Sequence, residues 1–328
     1  MQRRFLRGRL AIGNWRLQRL VGLALFCAVF VLAGFNGLYI ARGENATGKF
    51  TSEAAGGGGP PTVSAVLINS GTSTIVLTPN ATTSVAVGYT VTDADGCGDV
   101  FYNGNVTTTL YRSGVSGGAS CTASNLNCYI KASTSTHSCS APASTSTSAN
   151  GTTTLEIYYF ADATDASSTY PSEGWLAEVS ALDASANSHA ATSSQVEMNS
   201  LLAIALTTST INYDSVAAGE NTGSTNEEMP IKNAGNTSST LSINGTALVS
   251  GALSIATSSQ HYATSTFTFG GAEQSLQETA AAISGFLLTS PTSTANVSST
   301  TYWGLTVAAG TATGTYSSTV TFTSVFTP

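Results

Sequence analysis

VAVGYTV, the sequence of residues 85–91, alternates large apolar side chains with small or polar ones. Neighbouring side chains of a β-strand point to opposite faces, so this alternation predicts a strand with one buried face. The same pattern recurs at residues 155–159 and 175–181. Residues 62–198 are therefore predicted to form a β-sandwich of about seven strands.

A second unit with the same architecture is predicted for residues 199–328. Its alternating runs include Trp303, Leu305 and Val307, and then Val320 and Phe322. Short strands separated by turn signals are typical of Ig-like sandwiches, so we expect an all-β protein with two tandem Ig-like β-sandwich domains.

Three Asn-Gly pairs are candidate turns, because this dipeptide favours the backbone angles of tight hairpins. Asn103-Gly104 and Asn150-Gly151 lie between predicted strands of the first unit. Asn244-Gly245 predicts a two-residue hairpin in the second unit. Only residues 273–288 have a composition compatible with a helix.

The positions of the basic residues indicate where in or outside the cell the protein functions. Eight of the eleven Lys and Arg residues precede residue 50, and six of them lie within residues 1–19, directly before an apolar segment at residues 20–41 that is interrupted by Asn36. This order is typical of an export signal. We expect residues 1–46 to be a basic region with a signal peptide or membrane anchor helix, and residues 47–61 to be a Gly/Pro-rich linker. Cleavage after Ala33 and retention as an anchor both remain open.

The exported part is acidic. Beyond residue 50, seventeen Asp and Glu residues face three Lys and Arg residues, a formal charge of −14. Such a surface repels phosphate backbones, which excludes nucleic acid as an expected partner. Contact with a membrane is expected only through residues 20–41.

Four cysteines lie in the first predicted sandwich, and an even number of cysteines in an exported domain predicts disulfides. Of the three possible connectivities we favour Cys121–Cys128 with Cys97–Cys139. The first bridge closes a short polar loop, and the second ties down a long Ser/Thr-rich segment. A zinc site that uses His137 beside Cys139 is the less favoured alternative, because no Cys-x-x-Cys pair is present.

Two groups of side chains are candidate binding sites. Asp93, Asp95 and Asp99 follow one predicted strand, and Asp183 follows another at the same end of the sandwich, so their oxygens could bind calcium or simply make turns. Trp175 and Tyr158 could stack on a sugar ring, but Trp175 lies in the apolar-facing register of its predicted strand, so core packing is favoured over this alternative. Other aromatic residues of that candidate platform are Tyr159, Tyr170 and Trp303.

No catalytic group is predicted. Gly114–Gly118 matches the G-x-S-x-G pattern of a nucleophile elbow, but no helix is expected to follow it. The three histidines, His137, His189 and His261, lie in no context that indicates a general base. We therefore do not expect an enzyme.

Several strings resemble those of Ser/Thr-rich exported surface proteins of ultra-small, candidate-phyla bacteria; these strings are Val91–Cys97, Leu110–Val115, Cys121–Tyr129, Tyr158–Ser167 and Tyr302–Val307. The resemblance covers most of the exported region. It implies an Ig-like cell-surface protein without an assigned activity, and no catalytic residue is carried over from it.

The expected function is that of a non-catalytic protein of the cell surface, with a structural role in the envelope as a surface layer or fibre, or an adhesive role. A glycan-binding module is the alternative, and a secreted hydrolase is the third. Expected partners are other surface proteins, glycans or a second copy of the chain joined through exposed strand edges.

Overall fold

The computed structural model describes residues 58–132, 136–295 and 297–327. The predicted signal or anchor helix at residues 1–46 and most of the linker at residues 47–61 lie outside the described residues. In the described part of the chain, no helix combines the length and apolar character needed to cross a membrane.

The first sandwich is built from two four-stranded antiparallel sheets, with strand orders β1-β3-β7-β6 and β5-β4-β8-β9. A short parallel pair, β2 with β10, lies beside them, and helix α1 (Cys97–Phe101) connects β3 to β4. The strands are β1 (Thr62–Ile68), β2 (Thr74–Ile75), β3 (Thr82–Thr92), β4 (Asn105–Arg112), β5 (Cys128–Ala132), β6 (Thr136–His137), β7 (Ser148–Tyr158), β8 (Trp175–Leu182), β9 (Ser188–Thr192) and β10 (Glu197–Met198).

This strand order is that of an Ig-like sandwich. In Ig nomenclature the first sheet is A-B-E-D and the second is C′-C-F-G, with β3 as strand B and β8 as strand F. The inner face of β3 consists of Val85, Val87, Tyr89 and Val91, and all four are buried. The predicted all-β sandwich fold is confirmed.

The second sandwich pairs a five-stranded sheet, β11-β12-β19-β16-β17, with a three-stranded sheet, β18-β13-β20, and a small hairpin of β14 and β15. Its core surrounds Trp303, which is fully buried. The strands are β11 (Ile204–Leu206), β12 (Glu227–Asn233), β13 (Ser239–Gly245), β14 (Leu248–Ser250), β15 (Leu253–Ile255), β16 (Gln260–Ala263), β17 (Gln274–Ser275), β18 (Ala281–Ala282), β19 (Ser298–Leu305) and β20 (Val320–Phe326).

Two of the predicted Asn-Gly turns are wrong. Asn150-Gly151 lies inside β7, and Asn244-Gly245 lies at the end of β13 opposite β20. In both places the glycine makes room for a neighbouring side chain, because an added Cβ would lie 2.4 Å from the ring of Tyr89 at Gly151 and 2.4 Å from Leu276 at Gly245. Glycine within a strand often marks such a close approach.

Both predicted disulfides are present. Cys97 at the start of α1 is joined to Cys139, which follows β6, and Cys121 is joined to Cys128 at the start of β5. The first bridge spans 42 residues of sequence. It therefore fixes the loop after β3 against the segment that leads into β7.

The two sandwiches share no sheet, yet residues Gly56–Pro328 belong to one compact unit. The buried side chain of Asn236 connects them. Its amide nitrogen donates to the carbonyl of Ala161 at 2.9 Å, and its oxygen accepts from the amide of Leu201 at 2.6 Å. Asn236 thus satisfies polar groups from both sides of the junction.

We expect Asn236→Ala to destabilise the protein by about 1–3 kcal/mol, because it leaves buried polar groups at the junction without partners. The measurement is urea denaturation, in which the unfolding midpoint should fall. Asn212→Ala, at an exposed asparagine of the second sandwich, is the control and should change stability by less than about 0.5 kcal/mol. Equal midpoints for wild type and Asn236→Ala would contradict this role.

Candidate metal site

Three carboxylates meet at one end of the first sandwich. Asp93 directly follows β3, Asp99 lies in α1, and Asp183 directly follows β8. Strands B and F of an Ig-like sandwich end on the same side, so the topology brings together residues that are ninety positions apart in sequence. One oxygen from each carboxylate lies within 4.8 Å of the others.

Asp93 has an unused oxygen inside the protein. Its side chain is 2% exposed, and its Oδ1 accepts a hydrogen bond from the amide of Asp95 at 2.8 Å. Its backbone amide donates to the carbonyl of Thr147 at 2.9 Å, which fixes the start of the loop. The other oxygen, Oδ2, is buried and has no hydrogen-bond partner among the described residues. A buried polar atom of this kind is costly unless a ligand or an ordered water molecule completes it.

The electrostatics of the cluster favour a bound cation. Burial is the largest cause that raises the pKa of Asp93, the hydrogen bond from Asp95 opposes it, and the nearby carboxylates of Asp99, Asp95 and Asp183 raise it further. None of the ion pairs among the described residues involves these carboxylates. Their mutual repulsion is therefore not offset by a Lys or Arg side chain.

Asp183 is held in position by a neighbouring asparagine. The backbone amide of Asn187 donates to Oδ1 of Asp183 at 2.8 Å, and its side-chain amide donates to Oδ2 at 2.9 Å. Burial raises the pKa of Asp183, but these hydrogen bonds together outweigh it, so that the net pKa is lowered. Asp183 is thus kept ionised, whereas the pKa of Asp93 is raised by burial and by the neighbouring carboxylates.

The same asparagine reaches the segment that leads into β1. The side-chain amide of Asn187 also lies 3.4 Å from the carbonyl oxygen of Gly58. The carboxylate of Asp95 packs against Gly58 as well, where a Cβ would meet it at 1.6 Å. The carboxylate cluster therefore adjoins the end of the linker.

Calcium fits this set of ligands better than other common metals. Ca²⁺ prefers six to eight oxygen ligands and accepts both carboxylates and backbone carbonyls in flexible geometry. The cluster provides three carboxylates and no sulfur or imidazole ligand. Asp93, Asp99 and Asp183 would hold the ion, with water completing its coordination.

Asp95, the fourth predicted ligand, is outside the cluster. Its side chain is exposed and lies against Gly58, while its backbone amide orients Asp93. The turn explains this position. Because the side chain of Asp93 accepts a hydrogen bond from the amide of Asp95, the backbone between them turns outward and leaves the Asp95 side chain outside the cluster. The prediction of Asp95 as a ligand is wrong in this respect.

The main residue of the predicted sugar-stacking surface, Trp175, is not accessible to a sugar. Trp175 is fully buried, and its indole Nε1 donates to the carbonyl of Asp162 at 2.9 Å. The prediction of Trp175 as a glycan-stacking residue is therefore wrong, and Trp303 is equally buried. Tyr158 is half-buried and stacks on Phe160, with ring centroids 5.2 Å apart.

Tyr170 lies over a buried arginine. The guanidinium of Arg112 is 3.6 Å from the centre of the Tyr170 ring and forms ion pairs with Asp162 and Glu173. These contacts fasten the connection between β7 and β8 to strand β4. The sequence provided no signal for this network beyond the scarcity of basic residues in the exported part.

The residues considered for catalysis are separate. Ser116 is exposed on the turn after β4. His189 accepts a hydrogen bond from the amide of Val63 at 3.1 Å, His137 stacks on Phe101, and His261 lies 3.7 Å from Glu273. The structure does not bring any of these histidines beside Ser116 through a described contact.

No protein-family model matches the chain, and no curated protein matches its sequence.

We expect Ca²⁺ to raise the melting temperature of the wild-type protein and a chelator to reverse the effect. At a free Ca²⁺ concentration of about 100 times Kd, binding adds about 2.7 kcal/mol of stability. Asp93→Asn and Asp183→Asn should lose the shift. Asp95→Asn, in the same loop but outside the cluster, is the matched control and should keep it. A wild-type melting temperature that changes with neither Ca²⁺ nor chelator would contradict the calcium hypothesis.

Acidification should stabilise the metal-free protein through Asp93. Because the pKa of Asp93 is raised in the folded state, the folded protein takes up a proton that the unfolded chain does not, until the pH reaches the ordinary aspartate value of about 3.9. In chelator, the melting temperature of Asp93→Asn should therefore be higher than that of wild type at pH 7. The difference between the two melting temperatures should shrink as the pH falls through the raised pKa of Asp93. A wild-type protein that melts above Asp93→Asn at pH 7 in chelator would contradict this.

Proposed function

We propose that this protein is a non-catalytic component of the cell exterior whose first sandwich binds Ca²⁺ where the linker enters. The observation that carries the proposal is the unpartnered, buried Oδ2 of Asp93 among three carboxylates. Ca²⁺ reaches millimolar concentrations outside cells, and extracellular modules typically bind it with dissociation constants of about 10⁻⁴–10⁻³ M.

The role of the ion is mechanical. Ca²⁺ bound to Asp183 restrains Asn187, which contacts the carbonyl of Gly58 at the linker end. Two prolines, Pro60 and Pro61, then lead into β1 and limit the backbone further. Ca²⁺ thereby fixes the direction in which the sandwich leaves its linker, as a surface spacer requires.

Export is supported by three independent features. The basic and apolar order of residues 1–41 is that of an export signal. Two disulfides persist best in an oxidising environment. Ser and Thr hydrate the outer faces of strands such as β20, where Thr321 and Thr323 are exposed, in a protein with few charges.

Immunolabelling tests the proposal on cells that make the protein. An antibody against the first sandwich should label intact cells as strongly as permeabilised ones, while a cytoplasmic protein is labelled only after permeabilisation. Electron microscopy of the same cells then distinguishes roles: continuous label indicates a structural envelope component, and sparse label indicates an adhesive one. Label that requires permeabilisation would refute a place at the surface.

A further inference from the structure

A histidine and a glutamate with buried, unpartnered atoms face each other in the second sandwich. His261 lies in β16, and Glu273 directly precedes β17, the strand that pairs with β16. Nδ1 of His261 and Oε1 of Glu273 are 3.7 Å apart, which is too far for a hydrogen bond. Neither Nδ1 of His261 nor Oε2 of Glu273 has a hydrogen-bond partner among the described residues. The pair therefore directs unused polar atoms into one small space.

Burial makes this arrangement costly for the protein alone. The side chain of Glu273 is 4% exposed, and that of His261 is 21% exposed. Phe269 packs against the imidazole of His261, with ring centroids 4.5 Å apart. A buried carboxylate without a full set of partners carries a desolvation cost that a bound cation would offset. The remaining exposure of His261 gives an ion access from solvent.

The imidazole of His261 offers a lone pair at Nδ1. The backbone carbonyl of Ser258 accepts a hydrogen bond from this ring, and Nδ1 makes none, so the proton of the neutral ring lies on Nε2. Metal-binding histidines usually donate their other ring nitrogen in this way. Burial is the largest influence on the pKa of His261 and lowers it, although Glu273 and Ser258 act in the opposite direction. The neutral ring, which is the form that binds metals, is therefore favoured near pH 7.

The carboxylate of Glu273 is kept ionised by backbone amides. The amide of Gly270 donates to Oε1 of Glu273 at 2.6 Å. Burial raises the pKa of Glu273, but hydrogen bonds from Gly270, from its own amide and from Gly271, together with the nearby His261, outweigh burial and lower the net pKa. Such hydrogen bonds also orient the carboxylates that bind metals. Both side chains thus have the charge state that a metal ion requires.

We propose that His261 and Glu273 bind a zinc ion. Zn²⁺ binds imidazole nitrogen and carboxylate oxygen at about 2.0–2.2 Å, so one ion can bridge atoms up to about 4.2 Å apart. The separation of 3.7 Å between Nδ1 and Oε1 lies within this reach. Water would complete a tetrahedral coordination. Ca²⁺ is a poor fit, because it prefers oxygen ligands, so this site differs in its metal from the Asp93 cluster.

The ion would fasten a loop of a domain that has no disulfide. The second sandwich contains no cysteine. The loop at residues 264–273 is attached to its neighbouring segment by the amides of Phe267 and Phe269, which donate to the side chain of Asn226 at 2.8 Å and to the carbonyl of Gly223 at 2.9 Å. Zn²⁺ between β16 and Glu273, the last residue of the loop, would close the loop at its base. A disulfide closes a short loop of the first sandwich in a comparable way.

Zinc binding is tested by calorimetric titration of zinc chloride into the purified protein in excess Ca²⁺. Wild type should bind Zn²⁺, and its melting temperature should rise. His261→Gln and Glu273→Gln should each lower the Zn²⁺ affinity by at least about tenfold, because each removes one of the two protein ligands. Neither variant should show the rise in melting temperature at the Zn²⁺ concentration that saturates wild type.

Two control variants separate this site from other candidates. His137→Gln is the matched histidine control, because Nδ1 of His137 is also buried without a described partner, but its ring contacts are with Phe101 and Tyr102. Asp93→Asn controls for Zn²⁺ binding at the carboxylate cluster of the first sandwich. Both variants should bind Zn²⁺ with the affinity of wild type.

NMR of the imidazole nitrogens identifies the ligand in the wild-type protein. Of the three histidines, only His261 should show a shifted Nδ1 resonance when Zn²⁺ is added, and excess Ca²⁺ should leave this resonance unchanged. The measurement needs no substitution, so it decides the question even if Glu273→Gln fails to fold. Circular dichroism checks the folding of each variant.

Three results would overturn the inference: a wild-type protein that does not bind Zn²⁺, equal Zn²⁺ affinity in wild type and in both variants of the pair, or a zinc-dependent shift at His137 or His189 in place of His261. The inference goes beyond the proposed function and does not depend on it. These results leave the Ca²⁺-dependent melting shift and the surface labelling of intact cells unaffected, so the two failures are distinguishable.

Discussion

The structure depends on burial of the apolar inner faces of its sheets, because a sheet with alternating side chains has one apolar face that must pack against another layer. In the first sandwich, β8 lies between β4 and β9 and its inner side chains are inaccessible to solvent. The second sandwich buries Trp303 in the same way, and the inner side chains of β20, an edge strand of its sheet, are half-buried.

The metal site follows from the same topology. Face-to-face packing of the two sheets brings the ends of β3 and β8 together. Asp93 therefore lies beside Asp183. The Cys97–Cys139 bridge then fixes the loop that carries Asp99. The scaffold thus holds repelling carboxylates at a distance that side chains alone would not keep, and a bound cation would offset the repulsion.

Much of the fold could be predicted from local patterns. Alternation at residues 85–91 identified β3, because burial of one face leaves a period-two signal, and cysteine spacing indicated both disulfides. The Asn-Gly turns failed because the glycines at 151 and 245 serve tertiary contacts with Tyr89 and Leu276, which local sequence does not reveal. Alternation also placed Trp175 and Trp303 in the apolar-facing register, and both are buried.

The candidate site was only partly predictable for a similar reason. Strand order suggested that the loops carrying Asp93 and Asp183 meet, but the direction of each carboxylate depends on turn geometry, which excluded Asp95. The ion pairs of Arg112 with Asp162 and Glu173 could not be predicted either, because they join residues that are fifty or more positions apart in sequence.

Calorimetric titration of Ca²⁺ into the purified protein tests the central claim most directly, namely that the sheet topology assembles Asp93, Asp99 and Asp183 into a cation site. The account predicts that the wild-type protein binds Ca²⁺ at millimolar concentrations or below and that Asp99→Asn binds it far more weakly. Absence of binding in the wild type, or equal binding in the two proteins, would contradict the account.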